Sequence, residues 1–167
     1  PEMVLIAKKY KPHSVCFVPE NRQELTTEGG LDVCLNFNYL KKVISPLLQS
    51  EINVALFIDP NIEQLIATHK LGIKTVEFHT GAYANAFLNK DKVELELKKI
   101  RESVKYAKEH NINSHAGHGL NYENVSLIAS IPNIHELNIG HFLIGEAIFE
   151  GLKKSILKMR HVIKEAP

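Results

Sequence analysis

Apolar and polar positions follow two rhythms along the chain. Five short runs, Ser14 to Val18, Asn53 to Ile58, Thr75 to Phe78, Ile112 to His115 and Ile134 to Ile139, carry the β-branched and aromatic content of buried strands. Between them the period changes. Val93, Leu97, Ile100, Val104 and Ala107 fall on one apolar stripe, with Glu94, Glu96, Lys98 and Lys99 opposite, which predicts a surface helix covering a sheet. Asp59-Pro60 predicts a helix start, a capping carboxylate ahead of a proline at the first helical position, followed by Ile62, Leu65 and Ile66 on one face. Asn121 is the expected cap of a helix over Tyr122 to Ser130, which stops before Pro132. From His141 through Ile144, Ile148, Leu152, Ile156, Met159 and Ile163 the pattern predicts one long closing helix.

Strand followed by helix, repeated with brief connections, implies parallel strands joined by right-handed crossovers. Two α/β architectures satisfy this: a doubly wound open sheet or a (β/α) barrel. The G-x-G-x-x-G fingerprint of the first is absent. Glu77 and His79 share one face of their strand, as do Glu136 and Asn138, while Val76, Phe78, Leu137 and Ile139 point the other way. Apolar outside and polar inside is the pattern of a barrel lumen, so the expectation is a (β/α)8 TIM barrel with extra helices, of which residues 1–167 hold the last five strand–helix units as a single domain. The chain opens with Pro1-Glu2 and runs at once into Met3 to Tyr10, which reads as the back half of a helix, so three preceding units are expected to be absent from it.

Composition narrows the function. A chain of 167 residues with 44% hydrophobic content fills one core, and twenty basic against nineteen acidic residues leave a charge of +1 without any basic run or aromatic-basic stripe. Neither nucleic acid nor a membrane is an expected partner, since no apolar run approaches the roughly 20 residues that span a bilayer. A cytoplasmic protein is the default reading. Cys16 and Cys34 have the spacing of neither a metal knuckle nor a redox pair, and are read as reduced core or near-core thiols. The nine histidines matter more, because several lie beside glycines.

In a parallel barrel the chemistry sits where strands end. The fourth strand runs into His115-Ala116-Gly117-His118-Gly119-Leu120-Asn121, where glycines let backbone approach a ligand and His118 is a candidate general acid/base beside a phosphate. A turn histidine bonded to backbone is the plainer alternative. The fifth strand ends in Gly140-His141, whose N–H groups at a helix N-terminus favour an anion, against the alternative of an ordinary capped helix. On the third strand Glu77 with His79 suits stabilising a cation or moving a proton, or else forms a satisfied buried ion pair. The first strand leads into Pro19 to Asp32, whose threonines, glycines and arginine suit a lid over a phosphorylated ligand or a plain surface loop.

These segments together resemble the pyridoxine 5′-phosphate synthase family of bacterial vitamin B6 biosynthesis. The likeness rests on Val18-Pro19-Glu20, Thr26 to Val33, Leu56-Phe57-Ile58-Asp59, Glu77-Phe78-His79-Thr80-Gly81 with Tyr83-Ala84, Ala116 to Tyr122, Ile131-Pro132, and His135 to His141, in the family's order. The resemblance implies a (β/α)8 barrel and a cofactor-free, metal-free condensation of 1-deoxy-D-xylulose 5-phosphate with 3-amino-2-oxopropyl phosphate, giving pyridoxine 5′-phosphate, phosphate and water. Carried over by position, it makes His118 the proton donor, Glu77 the transition-state stabiliser and Thr26 a contact to the deoxyxylulose phosphate. Gly119, Gly140 and His141 become ligand-binding positions, and the assembly a homo-oligomer, commonly an octamer. The family's first three strands, which bear its catalytic base, have no counterpart here, and His115 stands where asparagine is expected. Two other readings remain: a truncated or degenerate barrel that binds a sugar phosphate without turnover, and a metal-dependent barrel hydrolase, for which His115-x-x-His118 has an awkward spacing on a strand.

Overall fold

The computed structural model describes residues 2–19, 29–50 and 52–167. Its elements run α1 (Glu2–Tyr10), β1 (Ser14–Phe17), α2 (Phe37–Leu48), β2 (Asn53–Ile58), α3 (Ile62–Lys70), β3 (Thr75–His79), α4 (Gly81–Asn89), α5 (Val93–Glu109), β4 (Asn113–Gly117), α6 (Val125–Ala129), β5 (Ile134–Asn138), α7 (His141–Glu150) and α8 (Leu152–Lys164). All four strand pairings are parallel, and the sheet order is β1-β2-β3-β4-β5, the order of the chain. A doubly wound sheet reverses its strand order at a switch point. Here the order never reverses, so successive right-handed crossovers wind in one sense, as in an arc of a (β/α)8 barrel.

Register turns alternation into two chemically different faces. Ile58, Phe78, Ala116 and Leu137 align across the sheet, and the first three are fully buried under the helices together with Leu56 and Val76. One residue earlier, Phe57, Glu77, His115 and Glu136 align on the opposite face. The predicted stripe of α5 faces the core, with Leu97, Ile100, Val104 and Ala107 all buried. No helix among the described residues is long and apolar enough to cross a membrane.

Several local expectations are corrected. Asp59 does not cap α3. Asn61 does, its side chain accepting from the N–H groups of Glu63 at 2.7 Å and Gln64 at 3.4 Å, which frees Asp59 for a tertiary role. Replacing Asn61 with alanine is expected to cost about 1 kcal/mol, read as a lower denaturation midpoint with unchanged slope. The helix after β4 is only Val125–Ala129, because Asn121 spends its side chain on a turn, accepting from Glu123 N at 2.8 Å and Asn124 N at 3.1 Å. The long closing helix is two helices. Gly151 has φ +82° and ψ 145°, a conformation open to glycine, and it separates α7 from α8. Cys16 and Cys34 are free but exposed, Cys16 because β1 pairs on one side only among the described residues. Desolvation of the sulfur, with the Glu77 carboxylate adding to it, nevertheless pushes the Cys16 thiol up to about 12.

Candidate active site

The ends of β3, β4 and β5, together with Phe57 of β2, line a cavity of about 520 Å³. Its walls include Phe57 from β2, Glu77 from β3, His118, Gly119 and Leu120 after β4, and Asn138, Gly140 and His141 around the end of β5. Parallel strands in sequential order place all their carboxyl ends on one rim, so residues 64 positions apart converge without any local signal. Five predicted site residues, Glu77, His118, Gly119, Gly140 and His141, thus line one space. Thr26 and the rest of segment 20–28 lie outside the described residues.

His118 is the first residue beyond β4, and its backbone is left-handed at φ +81°, followed by Gly119 at +74°. A non-glycine residue there carries strain, which surrounding bonds must hold. Thr80 does this: its backbone N–H donates to Gly117 O at 2.8 Å, and its buried hydroxyl is shared between Gly117 O at 2.7 Å and His118 O at 2.6 Å. The turn therefore aims an imidazole into the cavity. Burial lowers the proton affinity of His118, and the neighbouring imidazoles of His79 and His141 lower it further.

Glu77 accepts a 2.7 Å hydrogen bond from Asn138 Nδ2. The alternative reading of a Glu77–His79 ion pair is not what forms; His79 Nδ1 binds Asp59 Oδ1 at 2.9 Å. Burial raises the pKa of Glu77, the Asn138 bond opposes this, and Glu136 adds to the rise. A carboxyl so raised contributes stability while protonated, present below its unfolded pKa and lost as pH rises through the folded value. Glu77→Gln is therefore expected to raise the thermal midpoint at pH 7 by no more than about 2–4 °C and leave it unchanged near pH 4, measured by thermal scans at both values.

At the third wall Gly140 precedes α7, and its carbonyl accepts from Ile144 N at 3.0 Å. The N–H groups of that first turn point outward from the helix start beside His141, a favourable place for a phosphate. His115, on the polar face of β4, lies 3.6 Å from Glu136 Oε1. Among the described residues no group of three or more His, Cys, Asp or Glu side chains is arranged to hold a metal ion, which leaves the hydrolase reading without a donor set there. Thr80 was not singled out from the sequence, and Asp59 was read there only as a helix cap. Their partners are 20 to 38 residues away, and both residues stood inside quoted motifs without any local mark of their task.

Sequential parallel strands and a polar inner face define an arc of a (β/α)-barrel protein. Among its relatives are the pyridoxine 5′-phosphate synthases of Sulfurihydrogenibium sp., 50% identical over 99% of this chain and 67% of its own length, and of Zymomonas mobilis subsp. mobilis, 50% identical over 99% and 64%. That of Blochmanniella floridana is 46% identical over 98% of this chain and 66% of its own. The family model for pyridoxal phosphate biosynthesis protein PdxJ matches residues 1–165, and the chain belongs to that family. It spans about two thirds of the length of the curated relatives it matches.

Proposed function

We propose that this chain carries the proton-donor and phosphate-binding side of a pyridoxine 5′-phosphate synthase active site, condensing 1-deoxy-D-xylulose 5-phosphate with 3-amino-2-oxopropyl phosphate to pyridoxine 5′-phosphate, phosphate and water. The observation that carries this reading is the convergence of Glu77, His118, Gly119, Gly140 and His141 on one cavity. Joining an amine to a ketone and expelling water and phosphate moves a proton at each step. His118 is the donor to the departing oxygen, a task helped by its lowered proton affinity. Glu77, held by Asn138, supplies negative charge opposite a nitrogen that becomes cationic. Gly119, Gly140 and His141 bind phosphorylated substrate, and Thr26 contacts the deoxyxylulose phosphate.

The reading extends to assembly and location. Residues 1–167 form a single domain holding the last five strand–helix units of the barrel, a reading supported by a core that is continuous from Val33 to Met159. A homo-oligomer, an octamer by the resemblance, and a cytoplasmic site complete it; exposed Ile144, Ile148 and Phe149 on α7 supply apolar surface for neighbouring elements. Mixing the purified chain with both substrates and following pyridoxine 5′-phosphate by mass spectrometry and phosphate by release assay tests the reaction. Product formation supports it. A second reading is a barrel that binds a sugar phosphate without turnover. Saturable binding of the deoxyxylulose phosphate with no product would replace the synthase reading by that one.

A further inference from the structure

His79 is an unusual buried imidazole. It is 6% exposed, its Nδ1 is bound to Asp59, and its Nε2 has no hydrogen-bond partner among the described residues. Asp59 is ionised, its carboxyl held below the ordinary range chiefly by the bond from His79, and the same oxygen accepts from Gly30 N at 3.1 Å. An ionised carboxylate only accepts, so the Nδ1 position must carry a hydrogen. Nε2 is therefore the ring position of His79 left without a hydrogen-bond partner among the described residues.

The His79 ring packs against that of His118. The two rings lie 4.8 Å apart between centroids, and both reach the space over Gly81: a Cβ built there would meet His79 Nε2 at 2.6 Å and His118 Cδ2 at 3.1 Å. Phe57 closes the third side, its ring 5.1 Å from that of His79 and 6.5 Å from that of His118. Lack of a side chain at residue 81 is thus what lets the imidazoles approach. We propose that Asp59 and His79 form a positioning pair behind His118: the carboxylate fixes the tautomer of His79, and the His79 ring, packed against that of His118, orients it and governs when it carries a proton.

This role rests on reading His118 as the proton donor, and it adds two residues that act through His118 without touching substrate. The titratable groups around His118 are His79 and Glu77 from β3 and His141 from α7, with Asp59 at the end of β2 behind His79. A proton on His79 disfavours one on His118, because two cations at this separation repel in a partly buried space.

Nitrogen-15 NMR of the histidine-labelled chain tests the pair. The expected result is hydrogen on Nδ1 of His79, and in His79→Asn a His118 titration midpoint that moves up. His69→Asn, remote from the cavity, should leave that midpoint in place. Asp59→Ala, half-exposed and so tolerant of truncation, should mix the His79 tautomers. A wild-type Nε2–H tautomer, or a His118 midpoint indifferent to His79→Asn, overturns the proposal. Should His79→Asn fail to fold, an unmixed tautomer in Asp59→Ala does the same. In turnover, His79→Asn should move the pH limb of kcat with KM nearly constant, which a merely structural loss would not do. Turnover without coupling between the two rings sinks the pair and leaves the synthase reading; coupling without turnover does the reverse.

Discussion

Replacing His118 with asparagine is expected to reduce turnover by roughly 100-fold or more while the protein stays folded. Asparagine is the informative substitution because the position is left-handed at φ +81°, where asparagine is among the few residues at ease. The clamp on this turn also survives, since Thr80 bonds to the carbonyls of residues 117 and 118 and not to the imidazole. Any loss of rate then belongs to the ring itself. The measurement is kcat/KM for product formation beside a denaturation curve. A near wild-type rate in a folded variant would remove His118 from the proton-donor role.

The second large effect is expected from one methyl group, in Gly117→Ala. Gly117 lies across from Asn138 in the sheet register, and a Cβ on it would overlap Glu77 Oε1 and approach Asn138 O at 2.9 Å. The carboxylate can swing away, but the Asn138 carbonyl belongs to a paired strand. Two costs follow: Glu77 loses its 2.7 Å bond from Asn138, and β5 must shift at its carboxyl end. The variant is expected to lose about 1–3 kcal/mol of stability, typical of overpacking. It should also lose roughly 10- to 100-fold in kcat, as expected when catalytic groups are displaced by about an ångström. Urea titration and steady-state kinetics read the two separately. Wild-type kcat in this variant would mean that Glu77's placement does not matter to the reaction.

Much of the architecture was legible because it is written at short range. Strand runs, the apolar stripe of α5 and the opposite faces of Val76 and Glu77 depend on spacings of two to four residues, which packing then respects. The errors share a cause as well. Asp59, Asn121 and the residues around Gly151 each had a reasonable local role, and a tertiary or steric demand outweighed it. Asp59 could have capped α3, but Asn61 was two residues closer to the helix and His79 offered a buried partner.

The sequence by itself determined the strand–helix alternation, the polar inner face and the glycine-flanked histidine at a strand end, since these follow from local periodicity and backbone freedom. Only the tertiary structure decided which groups are partners: Asn138 with Glu77 across 61 residues, Thr80 with His118 across 38 and Asp59 with His79 across 20. Those separations are fixed by parallel register, which requires each crossover helix to dock before two strand ends can meet.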